Sequence, residues 1–151
     1  MKVKHQMEKE KIRIPLPEGS FSGETLWSEK IEGGLFRICN VPFMAKGYAE
    51  GDIVSCQYKD GFNEVLSIEK DGGNGTLRLL FSDSQSDEAQ LILRELKSVG
   101  CSYEIASSQL VGVTIPSNLE VPFSQLSNFL NKTEDKILTG WEVAKKFTRK
   151  P

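Results

Sequence analysis

A change of hydrophobic rhythm near residue 70 constrains the fold of this chain more than any other feature. Before that point, short runs alternate apolar with polar residues, as at 11–15 and 25–31, and turn residues separate the runs. After it, one long segment places apolar residues three or four positions apart, which is the spacing of one face of a helix. The sequence therefore predicts a β-rich half at 9–70 and a mixed half at 76–147.

The β-rich half predicts five strands joined by tight turns. Residues 35–39 return as the partner of the strand before them, and residues 40–51 interrupt the pattern as a loop. A second hairpin is predicted over Lys59-Asp60-Gly61, between strands at 52–58 and 63–69. Five short strands with tight turns are typical of a small curled sheet or barrel.

The mixed half predicts the element order β-α-β-β-α-β, which is that of a ferredoxin-like unit. Ser86 is the expected N-cap of the first helix, and Gly100 is its expected C-terminal stop. Pro122 suits the first position of the second helix. The predicted elements are strands at 76–81, 101–106, 110–115 and 141–147 and helices at 86–99 and 122–135.

An α+β fold follows, in which both helices cover one face of a four-stranded sheet. The other face must then be functional or covered, and the N-terminal strands are the predicted cover. We expect residues 9–147 to form a single domain, although two closely packed subdomains also fit the pattern.

The net charge of −2 conceals an acidic body between basic ends. Residues 14–144 carry 10 basic and 19 acidic side chains, a net of −9. We predict a flexible basic arm at 1–8 and a basic tail at 148–151. An acidic body repels nucleic acid phosphates and favours a basic partner, although the same charge also serves solubility.

Membrane and disulfide signals are missing from the sequence. No apolar run approaches the ~18 residues of a spanning helix, and the N-terminus does not resemble a signal peptide. We therefore expect a cytoplasmic protein that does not contact a membrane. Cys39, Cys56 and Cys101 are odd in number, widely spaced and set in apolar segments. This pattern favours reduced packing residues over disulfides or zinc ligands.

The residues that common active sites need are also missing. The single histidine, His5, lies in the basic arm, so Ser-His-Asp and Cys-His schemes have no base. Asp60, Asp71 and Asp83 do not follow the calcium-loop pattern. The glycine-rich segment 71–75 lacks the helix and Lys-Ser/Thr pair of a P-loop and is predicted to be a hairpin turn. We expect no catalysis, no cofactor and no metal.

We do not expect the partner to be a nucleic acid, although RNA-recognition modules share the β-α-β-β-α-β order. Those modules carry stacking aromatics on their third strand, whereas residues 110–115 contain none. Aromatic residues in the first half follow strand periodicity, which favours the core over a ligand pocket. They are Trp27, Phe36, Phe43, Tyr48 and Phe62.

Several short segments resemble a bacterial family of small proteins known only as a domain of unknown function. They are Trp27 with Glu29, Asn40-Val-Pro-Phe-Met, Gly51-Asp-Ile-Val, Leu77-Arg-Leu, Leu96-Lys-Ser-Val-Gly-Cys-Ser-Tyr-Glu and Leu110-Val-Gly-Val-Thr-Ile-Pro. The resemblance covers most of residues 24–146. It implies a bacterial source and supports the two-part fold, and it supplies no catalytic residues.

A small acidic protein without catalytic residues fits a binding role. The sharpest hypothesis is an immunity protein that occludes the active site of a basic toxin of the nuclease type. Its candidate contacts are Asp83, Asp87, Glu88 and Glu95, although helix-dipole pairing and solubility explain each of them singly. The alternative is a regulatory or small-ligand-sensing module that uses the sheet or a cleft between the halves. An enzyme of unknown type is third, and the oligomeric state is not predicted.

Overall fold

The computed structural model describes residues 9–17 and 23–148, and within them the first half closes into a five-stranded barrel. Its strands are β1 (Lys9–Pro15), β2 (Gly23–Ile31), β3 (Leu35–Ile38), β4 (Ile53–Lys59) and β5 (Phe62–Lys70). Consecutive strands pair antiparallel, and β1 pairs parallel with β5 to close the barrel. The predicted β-rich half of five strands is confirmed. The basic arm at 1–8, including His5, lies outside the described residues, as do residues 149–151 of the tail.

Alternation along the strands fills the barrel with one face of each strand. Ile12 and Ile14 of β1 point inward with Leu26, Phe36 and other apolar residues, and all are buried. The β4–β5 turn has positive φ at Asp60 and Gly61, as two-residue hairpins of the favoured type require.

The described residues after β5 form a second, four-stranded sheet with helices in the predicted order. These elements are β6 (Gly75–Phe81), α1 (Asp87–Ser98), β7 (Ser102–Ile105), β8 (Leu110–Ile115), α2 (Phe123–Thr133) and β9 (Leu138–Lys145). The strands lie in the order β7-β8-β6-β9, and every neighbouring pair is antiparallel. The chain therefore has an α+β fold with two sheets.

Helix α1 has the predicted capping. Ser86 Oγ accepts a hydrogen bond from the Ala89 backbone N–H at 3.1 Å, and Gly100 follows the helix with a φ of +105°. Such a positive φ suits glycine, which has no Cβ to clash. The apolar stripe of α1 packs on the sheet, with Leu93 and Leu96 fully buried.

The ends of α2 and β9 differ from the prediction. Pro122 is extended and caps α2 instead of occupying its first turn. The helix ends at Thr133, because Asp135 starts a turn in which its Oδ1 accepts from the Ile137 N–H at 2.7 Å. That turn brings Leu138 onto Phe81, so β9 begins three residues before the predicted Trp141.

The glycine-rich segment 71–75 is not the predicted hairpin turn, because it connects the barrel to the other sheet. At Gly72 a Cβ would lie 2.6 Å from the Gly51 carbonyl oxygen. The glycine therefore allows two loops to cross in contact at the junction of the halves.

A loop, and not the barrel strands, covers part of the sheet face that the helices leave free. We call residues 40–51, between β3 and β4, the clamped loop. It lies directly on β8, since a Cβ at Gly112 would be 2.8 Å from Val41 Cγ1 and 3.0 Å from Phe43 Cε1. The predicted cover by the N-terminal strands is wrong, because the contact comes from this loop between two of them.

Buried carboxylates hold the clamped loop from the barrel side. Glu24 of β2 is buried, and its oxygens accept from the backbone N–H groups of Phe43, Met44 and Ala45 at 2.6, 3.0 and 2.8 Å. One side chain therefore satisfies three consecutive N–H donors that no strand partner reaches.

The sheet holds the same loop from the other side. Arg78 of β6 donates from Nη1 to the carbonyls of Phe43 and Met44, both at 2.8 Å. Glu104 of β7 accepts from the Val41 N–H at 2.6 Å. The loop therefore joins the two halves through charge-assisted hydrogen bonds.

This junction predicts that the barrel and the sheet unfold together. The chain has two tryptophans, Trp27 on β2 and Trp141 on β9, so each half contains its own fluorescent reporter. In urea, the Trp27→Phe and Trp141→Phe proteins should each unfold in a single transition. Within each protein, the fluorescence of the remaining tryptophan and the far-ultraviolet circular dichroism should change together. Two separated transitions within either protein would contradict a single cooperative unit.

Candidate functional site

The four predicted contact residues are all exposed. Asp87, Glu88 and Glu95 lie on α1, away from its buried stripe. Asp83 precedes the helix, where its Oδ1 accepts from the Gln85 N–H at 2.9 Å. Asp83, Asp87 and Glu88 therefore gather at the N-terminal end of α1, where the helix dipole favours negative charge.

Sequence reasoning missed an apolar residue among these acids. Leu91 is 56% exposed, and it follows Asp87 by four residues, follows Glu88 by three and precedes Glu95 by four. Residues at these spacings are neighbours on a helix surface. Its position in the sequence, on the side of α1 opposite the buried stripe, predicts that it is exposed. We call Asp83, Asp87, Glu88, Leu91 and Glu95 the acidic helix face.

The outward charge of the body is smaller than its composition indicates. Glu24 and Asp52 are buried, and Glu50 and Glu104 are half-buried within hydrogen bonds to the protein. Helix α1 also exposes two basic residues, Arg94 and Lys97. Arg78 of the same body is likewise buried, so the outward charge stays negative, and exposed carboxylates such as those of α1 carry it.

A groove lies on the opposite face of the sheet from α1 and α2. Arg78 and Leu80 of β6 point into it, while Leu77 and Leu79 point toward the helices, because side chains alternate along a strand. The sheet groove, as we name it, has a volume of about 480 Å³. It is lined by Phe43, Met44, Lys46, Arg78, Leu80, Leu110, Gly140, Trp141 and Glu142.

Charged groups meet at one end of the sheet groove. Arg78 Nε lies 2.8 Å from Glu142 Oε1, and Lys46 Nζ lies 4.0 Å from Glu142 Oε2. The Arg78 N–H does not point along a line to the carboxylate, so this contact is an ion pair without a good hydrogen bond. The other walls are mainly apolar.

A smaller recess of about 200 Å³ lies between the barrel and β7, and its thiol is not activated. It contains Cys39, Glu50 and Glu104 among its lining residues. Burial raises the pKa of the Cys39 thiol, and the Glu29 carboxylate adds to the effect. Burial also raises the pKa of Glu50, against a lowering by the Thr114 hydroxyl. Cys39 therefore stays a neutral thiol at pH 7 and is a poor nucleophile.

All three cysteines are free, as the sequence predicts. Burial raises the pKa of Cys56 and of Cys101 to about 11. Both thiols are therefore protonated at neutral pH and act in packing.

The aromatic residues do not all lie in the core, which corrects the prediction for Trp27 and Phe62. Both are exposed on the outer wall of the barrel, whereas Phe36 is buried. Lys11 Nζ lies 5.3 Å from the Trp27 ring centroid, and Arg13 Cζ lies 4.0 Å from that of Phe62. Strand periodicity alone does not indicate which face of a strand points inward, and cations from β1 cover these outward rings. Phe43 and Tyr48 belong to the clamped loop and are half-buried.

Residues 9–17 and 23–148 contain neither a cluster of metal-ligating side chains nor a helix that could span a membrane. In this part of the chain, no three or more histidine, cysteine, aspartate or glutamate side chains come together in a way that could hold a metal ion. Over the same residues, neither helix has the length and apolar character needed to span a membrane.

Comparisons with known proteins agree with the fold. Residues 24–141 match the model of a family described as "Domain of unknown function (DUF4265)". A solved structure described as "Novel crystal structure of a hypothetical protein from Neisseria gonorrhoeae" is similar, with a TM-score of 0.77 and 22% identity. The similarity covers 95% of this chain and 99% of that one, and at this identity it supports the fold alone. No curated protein matches the chain.

Proposed function

We propose a function from the surface of the chain itself, because the chain belongs to the Domain of unknown function (DUF4265) family, whose description assigns none. The function is noncatalytic binding of a basic partner protein through the acidic helix face. In its sharpest form, the chain is an immunity protein of the bacterial cytoplasm that occludes the active site of a nuclease-type toxin.

Leu91 is the observation that supports this proposal best. It is a large apolar side chain, more than half exposed, with a carboxylate on the adjacent turn of α1 on each side. Protein interfaces commonly place an apolar anchor inside a polar rim, and a few such anchors supply most of the binding energy. The rim carboxylates would pair with the cations that a nuclease uses to hold phosphate, which speeds association.

The arrangement of the second half supports the finer description of the fold as ferredoxin-like. Its strand order of β7-β8-β6-β9, its antiparallel pairing and the packing of both helices on one face match that unit. Together with the clamped loop, this supports treating residues 9–147 as one domain. The acidic helix face is then mounted on a rigid element, as a binding surface should be.

A small-ligand-sensing module is the second candidate function, and the sheet groove is the observation in its favour. Its volume lies within the ~300–1,000 Å³ typical of ligand sites. The groove and the acidic helix face lie on opposite sides of one sheet, so one function does not exclude the other.

The proposal predicts separate effects of the anchor and the rim on binding. Against the basic protein that copurifies with the chain from its source cells, Leu91→Ala should raise the dissociation rate about 30-fold, since truncated anchors cost ~2 kcal/mol or more. Neutralising the rim as Asp83→Asn, Asp87→Asn, Glu88→Gln and Glu95→Gln should slow association about tenfold and flatten its dependence on salt. Stopped-flow kinetics at several salt concentrations measure both effects.

Matched variants elsewhere on the surface provide the controls. Leu66→Ala removes an equally exposed leucine from β5, and neutralising Glu69, Glu120, Glu134 and Asp135 removes four exposed charges outside α1. These proteins should bind like the wild type. If the control set slows association as much as the rim set, the acidic helix face is not the contact surface.

A further inference from the structure

The charged end of the sheet groove holds more cation than anion. Lys46 and Arg78 both approach a single carboxylate, that of Glu142. Arg78 is 9% exposed, so its charge is poorly solvated and depends on anions or carbonyls of the protein. Glu142 is the one carboxylate among the lining residues given above, so one further monoanion would balance the two cations that line this end.

Arg78 is also fixed in direction. Its Nη1 is bonded to the Phe43 and Met44 carbonyls, which prevents the guanidinium from turning to improve its contact with Glu142. Its Nε lies 2.8 Å from Glu142 Oε1 without a linear hydrogen bond to it. Glu142 itself is 50% exposed on the edge strand β9, so it can move toward water at little cost.

The rest of the groove is apolar and open. Met44 and Leu80 are 43% and 48% exposed at its walls, with Leu110 and Trp141 beside them. An apolar group placed between Met44 and Leu80 would remove this surface from water, which favours binding. The groove therefore combines an apolar slot with a cationic end.

We propose that the sheet groove binds a small amphipathic monocarboxylate, an inference that rests on the second candidate function above. The ligand's carboxylate lies against Lys46 and Arg78, in competition with Glu142, and its apolar part lies between Met44 and Leu80. Because charge-assisted hydrogen bonds are the strong ones, the carboxylate fixes the orientation while the apolar group supplies most of the buried area.

Binding is tested with octanoate and 4-phenylbutyrate, each paired with its neutral amide, by isothermal titration calorimetry. Fluorescence of Trp141 in a Trp27→Phe protein reports whether the ligand enters the groove. We expect each acid to bind at least tenfold more tightly than its amide, since hydrogen bonds to charged groups contribute roughly 1.5–3 kcal/mol.

Two variants test the charged end without disturbing the core. Lys46 is highly exposed, and Lys46→Gln should weaken binding of the acids about fivefold while leaving the amides unchanged. Glu142→Gln should tighten binding of the acids, because it removes the competing carboxylate. Lys132→Gln, on the exposed part of α2, is the matched control and should change neither.

The outcomes separate the ligand class from the site. Acids and amides could bind equally well, and Leu80→Asp, which disrupts the apolar wall, could abolish the binding of both. That result would overturn the carboxylate proposal and leave a ligand-sensing groove in place. Absence of binding by all four compounds at millimolar concentration would overturn the proposal.

Discussion

Replacing Asp52 with alanine is expected to lower the free energy of unfolding by about 3–5 kcal/mol, the range for breaking a buried ion pair by removing one partner. Asp52 is fully buried at the junction of the barrel and the sheet. Its Oδ2 lies 2.6 Å from Lys145 Nζ and 2.9 Å from the Ala49 backbone nitrogen, and its Oδ1 accepts from the Gly72 N–H at 2.9 Å. Without the carboxylate, all three donors lose this partner.

Asp71 offers a control on the same lysine. It lies 3.2 Å from Lys145 Nζ but is half-exposed, so Asp71→Asn should cost less than about 1 kcal/mol. Urea unfolding at pH 7 measures both variants. If Asp52→Ala cost no more than Asp71→Asn, the buried pair would not be what joins the two halves.

The pH dependence of stability gives a second test of Asp71. A backbone hydrogen bond from Gly73, assisted by Lys145, holds the pKa of Asp71 below its usual value. A lowered pKa in the folded state stabilises the fold above the unfolded value of about 3.9, and that stability is lost as the pH falls through the folded pKa. The small difference in free energy of unfolding between the wild type and Asp71→Asn should therefore disappear in acid.

Glu24→Ala is the second large effect, with an expected loss of about 3 kcal/mol. The substitution removes the acceptor of three backbone N–H groups of the clamped loop, and a buried donor without a partner costs roughly 1–3 kcal/mol. Water that enters the emptied site should bind some of the three N–H groups. The expected total is therefore below the sum of three separate costs. The substitution should also lower the hydrogen exchange protection of the backbone amides at residues 43–45, because these amides donate to Glu24.

Two replacements calibrate the Glu24 result. Glu24→Gln keeps the length and one acceptor oxygen, so its loss should be intermediate. Glu29→Gln, on the same strand, changes a partly exposed carboxylate that lies 3.7 Å from Arg37 Nη1 and should cost less than about 1 kcal/mol. Equal losses for Glu24→Ala and Glu29→Gln, with unchanged exchange at 43–45, would show that the carboxylate does not fix the loop.

Local sequence patterns predict most of the helices and strands, because the ends of these elements depend on residues that are close in sequence. The N-cap at Ser86, the stop at Gly100 and the hairpin at Asp60-Gly61 are each determined by one or two residues. The sequence pattern predicts the end of α2 two residues too late, because the turn at Asp135 depends on a side-chain hydrogen bond that composition does not reveal.

Hydrogen bonds between side chains and groups far away in the sequence could not be predicted. No local pattern in the sequence indicates that Glu24 reaches the loop at 43–45 or that Lys145 pairs with Asp52 across 93 positions. Composition therefore counted these buried carboxylates as surface charge and overstated the acidic exterior. Leu91, in contrast, could have been found by placing α1 on a helical wheel.

The most direct test of the binding account is a titration of the basic partner's activity with the purified chain. The partner is the basic protein that copurifies with it, assayed as a nuclease on a DNA or RNA substrate. The account predicts that activity falls to zero at one equivalent of wild-type chain, that Leu91→Ala requires a large excess, and that Leu66→Ala behaves like wild type. Full nuclease activity at a tenfold excess of wild-type chain would contradict it.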